Sequence, residues 1–220
     1  MCGRFALHHA TAEVAEYFGV EQVSFELEPR YNIAPTQPVA VVRQRGERSL
    51  DACKWGLVPS WAKDPKIGNR MINARVETLA EKPSYRNALK RRRCLIPASG
   101  FYEWRQEGKE RIPTYVHAPD NSVLALAGLW EEWRSPDGSL MLSCTIITTE
   151  ANAFMAAIHT RMPIILAPVA REHWLDPEQQ ELESLLALLQ PLPEDGLTAH
   201  AVGRQVNAAS FDEPSCIQPA

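Results

Sequence analysis

Proline is the residue that most constrains how this chain can fold. The chain has 17 prolines among 220 residues, and they are spread along its whole length. Proline interrupts helices and cannot pair in the middle of a sheet, so long unbroken elements are disfavoured. The distribution predicts many short elements joined by ordered loops.

Runs rich in β-branched and aromatic residues lie between these breaks and predict strands. The predicted strands are 39–42, 50–57 (its partner across a turn at 44–49), 93–96, 101–105, 114–117, 124–130, 140–148 and 164–166. Because these strands do not alternate regularly with helices, a doubly wound parallel sheet is disfavoured.

Helices are predicted at 11–19, 149–158 and 177–189. Gly19 is placed to end the first. Asp176 is placed to cap the third, with Pro177 in its first turn. The apolar face of that helix is formed by Leu182, Leu185, Leu186 and Leu189. The predicted fold class is therefore α+β: a strand-rich single domain, with mixed and antiparallel sheets forming a barrel-like core and helices at the periphery.

Composition supports one folded domain. Hydrophobic residues make up 45% and charged residues 23% of the chain, which excludes a disordered or fibrous protein. We expect a single domain over 1–220, with a flexible tail from about 208 to 220. Lys and Arg total 23 and Asp and Glu total 27, a net charge of -4. This balance argues against a basic protein that coats nucleic acid, but it allows a small basic cleft.

Cysteine usage and hydropathy favour a cytoplasmic protein. The five cysteines are widely spaced and contain no C-x-x-C pair, so neither a disulfide framework nor a zinc finger is expected. No uncharged run approaches the roughly 20 residues of a membrane helix, and no apolar signal-peptide core follows Met1. The histidines lack metal-ligand spacing. We expect a monomer without membrane contact, metal or other cofactor.

Cys2 is the first candidate for chemistry. Removal of Met1 by an aminopeptidase, which is expected before a small residue, would leave Cys2 with a free α-amine and a thiol, both nucleophilic near neutral pH. The thiol could attack an amide carbonyl with the amine as base. Alternatively, the amine could condense with an aldehyde to an imine, and the thiol could then close a thiazolidine ring. The competing interpretation is an inert cysteine that happens to be second.

Asn73 and Arg75 form a second candidate pair. In an extended segment, residues two apart share a face, so the amide could orient a polar substrate while the guanidinium holds a phosphate or carboxylate. The competing interpretation is a turn asparagine beside a surface salt bridge.

Glu103 and His159 are candidate acid–base groups. Glu103 lies among aromatic residues on a predicted strand, and burial would raise its pKa; alternation could equally point it to solvent. His159 follows a predicted helix and precedes a turn fixed by Pro163, where histidine is a common proton carrier. It could instead interact with the helix dipole.

Three arginines, Arg4, Arg75 and Arg161, lie close in sequence to these candidates and could form a local anion site. Trp61, in a loop at 58–72, could stack on a nucleobase. The run 91–93 is the densest basic cluster; a solvated helix end explains it better than a binding patch.

A series of motifs spans nearly the whole chain. The motifs are Cys2-Gly3-Arg4-Phe5, Arg30-Tyr31-Asn32-Ile33-Ala34-Pro35, Trp55-Gly56-Leu57-Val58-Pro59-Ser60-Trp61, Ile72-Asn73-Ala74-Arg75-Val76-Glu77-Thr78, Arg93-Cys94-Leu95-Ile96-Pro97-Ala98-Ser99-Gly100-Phe101-Tyr102-Glu103-Trp104, His159-Thr160-Arg161-Met162-Pro163 and Val202-Gly203-Arg204-Gln205-Val206-Asn207. Taken together and in this order, they resemble one family, the SRAP (SOS response-associated peptidase) family.

The resemblance implies a protein that recognises abasic sites in single-stranded DNA and crosslinks to them through Cys2. It implies that Asn73 holds the sugar and the thiazolidine and that Glu103 assists ring opening and amine chemistry. It implies that His159 acts in imine formation, crosslink reversal and strand cleavage by β-elimination. Autoproteolytic removal of Met1 by Cys2, a role in the DNA damage response and association with the nucleoid on damaged DNA are implied as well.

By the same resemblance, a set of positions would contact DNA. Trp61 would wedge against the bases that flank the lesion, although family members often have two adjacent aromatic residues there and this chain has Ala62 next. The positions near the DNA backbone would be Arg4, Arg75 and Arg161.

Two other functions compete with this one. An N-terminal-nucleophile amidohydrolase also begins Cys-Gly after methionine, but it would need an oxyanion-hole Asn-Gly pair, which the chain lacks. A non-catalytic module that binds single-stranded DNA would make Cys2 incidental.

Overall fold

The strands predicted between residues 93 and 148 are all present in the structure, a computed structural model that describes residues 2–220. Strands dominate, as predicted. In chain order they are β1 (Phe5–Leu7), β2 (Gln22–Val23), β3 (Arg30–Ile33), β4 (Pro38–Arg45), β5 (Glu47–Trp55), β6 (Asn73–Arg75), β7 (Arg93–Ala98), β8 (Gly100–Glu107), β9 (Glu110–His117), β10 (Leu124–Arg134), β11 (Leu140–Glu150), β12 (Arg161–Pro163) and β13 (Thr198–Ala201).

A closed barrel forms the centre of the fold. Within residues 2–220, five strands pair in the order β11-β10-β7-β4-β5, and β5 returns to β11. The closing pair is parallel, with Cys144 beside Trp55, whereas the other neighbours are antiparallel. Side chains fill a barrel of this size, and Trp55, Cys94, Leu126 and Cys144 are all buried in the core. The predicted barrel-like core is confirmed.

A second sheet packs beside the barrel in the order β13-β9-β8-β1-β3, with antiparallel pairing throughout. Its strand β8 is covered on both faces. Phe101 packs into the main core, while Tyr102 and Trp104 pack with a separate cluster that includes Cys216 near the C-terminus. Because both faces are covered, β8 offers a dry environment to any polar residue on it.

Short helices surround the sheets. They are α1 (Thr11–Phe18), α2 (Arg86–Arg91), α3 (Ala153–Ala156), α4 (Pro168–Leu175) and α5 (Leu182–Ala187), with 3₁₀ turns at Pro65–Arg70, Val76–Thr78, Glu194–Gly196, Arg204–Asn207 and Pro214–Ile217. The first predicted helix is confirmed, and Gly19 ends α1 with a left-handed φ of 60°, a conformation that glycine adopts without steric cost.

The predicted helix at 177–189 is wrong in its first half. Asp176 ends α4 instead of starting a helix, and its carboxylate accepts the N–H of Glu178 at 2.9 Å. The next helix begins only after Glu181, whose carboxylate accepts from Glu183 and Ser184. A local Asx-type turn therefore replaces the predicted first turn.

Two other boundaries differ from the prediction. β11 continues to Glu150, so the helix predicted at 149–158 shortens to α3, which Asn152 caps by accepting from Met155 at 2.9 Å. The strand predicted at 164–166 lies earlier, as β12, and Ile165 forms only an isolated bridge.

The C-terminal segment packs against the second sheet. Asn32, on β3, donates from Nδ2 to the carbonyls of Val206, Ala208 and Phe211 at 3.1, 3.0 and 2.6 Å. Asp212 accepts the backbone N–H of Asn32 at 2.8 Å. Cys216 is buried. We call this arrangement of Asn32 with 206–212 the C-terminal junction.

Across the described residues, 2–220, no helix is long and apolar enough to cross a membrane. In the same range all five cysteines are free thiols.

Candidate active site

Four residues singled out from the sequence lie together where the second sheet meets the barrel. The side chain of Asn73 donates to the carbonyl oxygen of Cys2 at 2.8 Å. Nε2 of His159 lies 3.9 Å from a carboxylate oxygen of Glu103. Glu103 is close enough to Cys2 for its charge to affect the thiol. The structure thus brings segments more than 150 residues apart into one cluster. We call this cluster the reactive centre, after the candidate reactive groups in it.

Cys2 is placed by an extension of β1 pairing. Phe5 lies opposite Phe101, and the N–H of Tyr102 donates to the carbonyl of Arg4 at 2.9 Å. The residues before β1 therefore run antiparallel to β8, which brings Cys2 alongside Glu103. The side chain of Cys2 is fully buried.

Burial is the main influence on the Cys2 thiol. Desolvation raises its pKa well above the ordinary value, and the negative charge of Glu103 raises it further. A buried thiol beside a carboxylate stays protonated at neutral pH. With Cys2 in this environment, the thiol is a poor first nucleophile, which favours chemistry that begins elsewhere on the residue.

Glu103 is buried on β8, so the interpretation that it points to solvent is wrong. It shares a face with Phe101, toward the core, while Tyr102 and Trp104 cover the other face. Desolvation raises the pKa of its carboxyl, and the nearby imidazole of His159 acts in the opposite direction. A carboxyl with a raised pKa keeps its proton to higher pH than an exposed one, which suits a proton donor.

Asn73 lies on β6, an extended segment that runs parallel to β11 with Asn73 beside Ile146. Its side-chain oxygen Oδ1 is buried and has no hydrogen-bond partner among residues 2–220. Buried polar atoms are usually satisfied, so this oxygen is available to a donor on a ligand. The hydroxyl of Tyr85 lies 3.4 Å from the backbone oxygen of Asn73.

His159 lies in the turn between α3 and β12. Its backbone N–H donates to Met155 at 2.8 Å, and its Nδ1 accepts the backbone N–H of Arg161 at 3.0 Å. Nδ1 also lies 3.2 Å from the carbonyl oxygen of Arg161, so the turn fixes the position of the ring. Nε2 faces Glu103 at 3.9 Å, which places an imidazole and a carboxyl, two groups that carry protons in acid–base chemistry, side by side.

The three arginines differ in their availability. NH1 of Arg4 donates to Asn32 Oδ1 at 2.7 Å and to Val206 O at 2.8 Å. Arg161 forms an ion pair with Glu77. Arg75 is exposed and makes no ion pair within the described part of the chain. Two of the three predicted DNA contacts are therefore already engaged by the protein.

Trp61 is 59% exposed, as its loop position predicts. The backbone of the neighbouring Ala62 is fixed by a hydrogen bond, because the indole N–H of Trp133 donates to its carbonyl at 2.7 Å. Just before this loop the chain turns tightly at Gly56, where φ is +131°. A Cβ at this position would lie 2.6 Å from the carbonyl oxygen of Gly68. The ring of Trp61 is thus presented to solvent on an anchored loop.

Sequence reasoning gave no role to two residues that the structure places beside this centre. Tyr85, before α2, is buried near Asn73, and burial raises its pKa to about 12. Glu77 forms an ion pair with Arg161, and the charge of Arg75 also acts on its carboxylate. Both acquire a role only through contacts made across the fold, and a local pattern carries no signal for these.

Comparison with known proteins identifies the family. The family description "SOS response associated peptidase (SRAP)" matches residues 1–209. The chain belongs to the SRAP family. The resemblance noted in the sequence is thus confirmed over nearly the whole chain.

Several SRAP relatives carry names that describe a function. The "Abasic site processing protein YoqW" of Bacillus subtilis (strain 168) is 42% identical over 99% of this chain and 99% of its own. The "Abasic site processing protein HMCES" of Mus musculus is 33% identical over 87% of this chain and 65% of its own.

Solved structures share the fold. A protein from Bacteroides thetaiotaomicron superposes with a TM-score of 0.90 at 26% identity, covering 100% of both chains. A protein from Bordetella bronchiseptica gives a TM-score of 0.77 at 26% identity, covering 92% of this chain and 100% of its own. The barrel with its second sheet is therefore a fold that this chain shares with both solved structures.

Proposed function

We propose that this SRAP protein recognises abasic sites in single-stranded DNA and forms a covalent thiazolidine crosslink through Cys2 after Met1 is removed. The crosslink would shield the lesion during the DNA damage response. The observation that carries the proposal is the convergence of Cys2, Asn73, Glu103 and His159. The names of the YoqW and HMCES relatives support abasic-site processing as the task.

The chemistry begins at the amine of Cys2. The open-ring sugar of an abasic site carries an aldehyde. The amine attacks the aldehyde carbon, and loss of one water gives an imine. The sulfur then bonds to the imine carbon while the thiol proton moves to the nitrogen, which closes the ring. The raised pKa of the buried thiol supports this order, because the amine acts before the thiol has to be activated.

Proton transfer is assigned to Glu103 and His159. In its protonated form Glu103 donates to the ring oxygen as the sugar opens, and afterwards it accepts the proton that the amine releases. His159 supplies a proton as water leaves and can return it when the crosslink reverses. The same imine would allow β-elimination at the lesion, an abasic-site lyase activity. The side-chain oxygen Oδ1 of Asn73 would accept from a sugar hydroxyl.

The thiol of Cys2 would also act in autoproteolytic removal of Met1. Once a base takes its proton, the sulfur attacks the Met1 carbonyl carbon and the Met1–Cys2 C–N bond breaks with protonation of the nitrogen, which leaves a thioester. Water then hydrolyses the thioester, releases methionine and restores the thiol beside the free amine. Noncovalent contact with DNA is assigned to Arg4, Arg75, Arg161 and Trp61. We propose a monomer that acts in the cytoplasm and associates with the nucleoid when bound to damaged DNA.

The proposal is tested by incubation with a single-stranded oligonucleotide that contains one abasic site. Wild-type protein is expected to form a heat-stable adduct of one protein per strand, seen on a denaturing gel. Cys2→Ala lacks the thiol, so the variant is prepared with Met1 removed by an aminopeptidase and its free α-amine is verified by intact mass. This variant is expected to form only an imine, which is lost on heating and retained after borohydride reduction.

Cys216→Ala is the matched control, since it removes a buried thiol outside the site and should leave adduct yield unchanged. A heat-stable adduct of Cys2→Ala at wild-type yield would refute the mechanism. The amidohydrolase alternative predicts ammonia release from glutamine, which the crosslinking mechanism does not. The binding-module alternative predicts DNA binding without any covalent product.

A further inference from the structure

The guanidinium of Arg161 is held by a carboxylate of the protein. NH1 donates to Glu77 Oε1 at 2.5 Å and NH2 to Glu77 Oε2 at 3.0 Å. NH2 also donates to the backbone oxygen of Thr148 at 2.7 Å. This bidentate pairing uses the same fork of donors that a phosphate would use. A phosphodiester that binds Arg161 in this way must first displace Glu77.

Glu77 is suited to be displaced. Its side chain is 43% exposed, while that of Arg161 is 14% exposed. Hydrogen bonding from Arg161 lowers the pKa of the Glu77 carboxyl, and the charge of Arg75 adds to this effect. The carboxylate is therefore ionised at neutral pH. Partly exposed ion pairs are weak compared with buried ones, so a competing anion can replace this one.

Glu77 also lies next to the reactive centre. It follows Asn73 by four residues, and its partner Arg161 follows His159 by two. The backbone N–H of Arg161 donates to His159 Nδ1. Contacts thus lead from Glu77 through Arg161 and His159 to Glu103, so the negative charge of Glu77 lies near the part of a strand that would flank a sugar at Cys2.

We propose that Glu77 is a specificity-determining residue that occupies the phosphate fork of Arg161 and thereby weakens the binding of undamaged single strands. This inference rests on the proposed function. Strands without a lesion must compete with Glu77 and dissociate readily, whereas a strand with an abasic site is retained because it reacts with Cys2. Selectivity then arises from a weakened first encounter followed by covalent capture.

The test measures binding of an undamaged, fluorescently labelled single strand by anisotropy over a range of salt concentrations. Glu77→Gln is expected to bind about five- to tenfold more tightly at low salt. The plot of the logarithm of the binding constant against the logarithm of the salt concentration is expected to steepen by about 0.7. This is the value for one additional phosphate contact on single-stranded DNA. Glu77→Ser provides a second variant that lacks the carboxylate.

Glu150→Gln is the matched control. Glu150 is exposed and lies opposite Arg161 in the β11–β12 pair, but it is not the ion-pair partner of that arginine. The Glu150→Gln substitution removes the same charge close by and should change the affinity for the undamaged strand less than twofold. Equal effects of Glu77→Gln and Glu150→Gln would reduce the role of Glu77 to general repulsion and overturn the proposal.

Unchanged or weaker binding by both Glu77 variants would also overturn the proposal, because Glu77 would then position Arg161 for DNA. These failures can be separated from failure of the proposed function. If wild-type protein forms the abasic-site adduct while the Glu77 variants do not bind more tightly, only the inference on Glu77 fails. If wild-type protein neither binds the strand nor forms the adduct, both fail.

Discussion

Two polar clusters flank the N-terminal segment, and they are built differently. At the C-terminal junction, Asn32 donates to three backbone carbonyls and Asp212 accepts two backbone N–H groups, from Tyr31 at 2.5 Å and Asn32 at 2.8 Å. At the reactive centre, Asn73 has a buried oxygen without a partner among residues 2–220. Glu103 is a carboxyl whose burial raises its pKa.

The difference indicates what each cluster does. Satisfied buried polar groups fix one arrangement of the chain. A buried polar atom without a hydrogen bond and a buried carboxyl with a raised pKa both destabilise the fold. Proteins retain such groups where a ligand or a reaction needs them. This contrast supports the proposal that the reactive centre is the functional site, while the junction holds the chain in place. Arg4 connects them, because it follows Cys2 by two residues and donates to Asn32.

The largest effect is expected at the junction. Asn32→Asp replaces a donor with a carboxylate oxygen that faces the carbonyls of Val206, Ala208 and Phe211. Arg4 can pair with the new carboxylate, but the three carbonyls lose their donor, and each buried acceptor left without one costs about 1–3 kcal/mol. We therefore expect a loss of about 3 kcal/mol or more of unfolding free energy. Chemical denaturation measures that loss.

Asn207→Asp makes the same change at an exposed residue of the junction. Its Oδ1 only accepts the indole N–H of Trp104, at 2.7 Å, and a carboxylate accepts equally well, so stability should hardly change. Equal losses in the two variants would show that the junction does not depend on the donors of Asn32.

The next effect is expected at the reactive centre. Glu103→Gln keeps the shape of the side chain but cannot transfer a proton, so adduct formation should slow about 100-fold, within the range of general acid–base catalysis. The rate is measured by quenched time points on a denaturing gel. Glu107→Gln, on the exposed end of the same strand, should react at the wild-type rate. A wild-type rate for Glu103→Gln would remove its assigned role.

The smallest effect concerns the stability of the same variant. The folded protein holds the Glu103 proton above the ordinary pKa of 4.5, so between pH 4.5 and the raised value it binds more protons than the unfolded chain. Stability contributed by this group is therefore lost as pH rises through that window. Glu103→Gln should melt at a higher temperature than wild type near pH 7.5, and the gap should close below pH 4.5. A variant that melts lower at pH 7.5 would contradict the raised pKa.

The sequence predicts the centre of this fold better than its edges. The long strands β10 and β11 have dense β-branched and aromatic runs, and the strand predictions there are confirmed. The strands β1, β6 and β13 have three or four residues each, too few to show the alternating pattern that predicts a strand. They exist because of the strands beside them. The error at Asp176 has a similar origin, since the same residue types that cap a helix also close a turn.

The candidate site was predictable in its residues but not in its environment. Cys2 and Asn73 stood out through residue type and motif order. The burial of Glu103 depends on the core-facing side of β8, where Phe101 packs into the core and the distant His159 lies 3.9 Å from the carboxylate. The pairing of Arg161 with Glu77 depends on two segments that are 84 residues apart. Contacts of this range leave no local pattern.

Intact mass spectrometry with an abasic oligonucleotide tests the central claim most directly. The account predicts a single product whose mass is that of the protein without Met1 plus one oligonucleotide, less one water. It also predicts that this product survives heating. A covalent product that retains Met1, or a Cys2→Ala variant that gives the same heat-stable mass shift, would contradict the account.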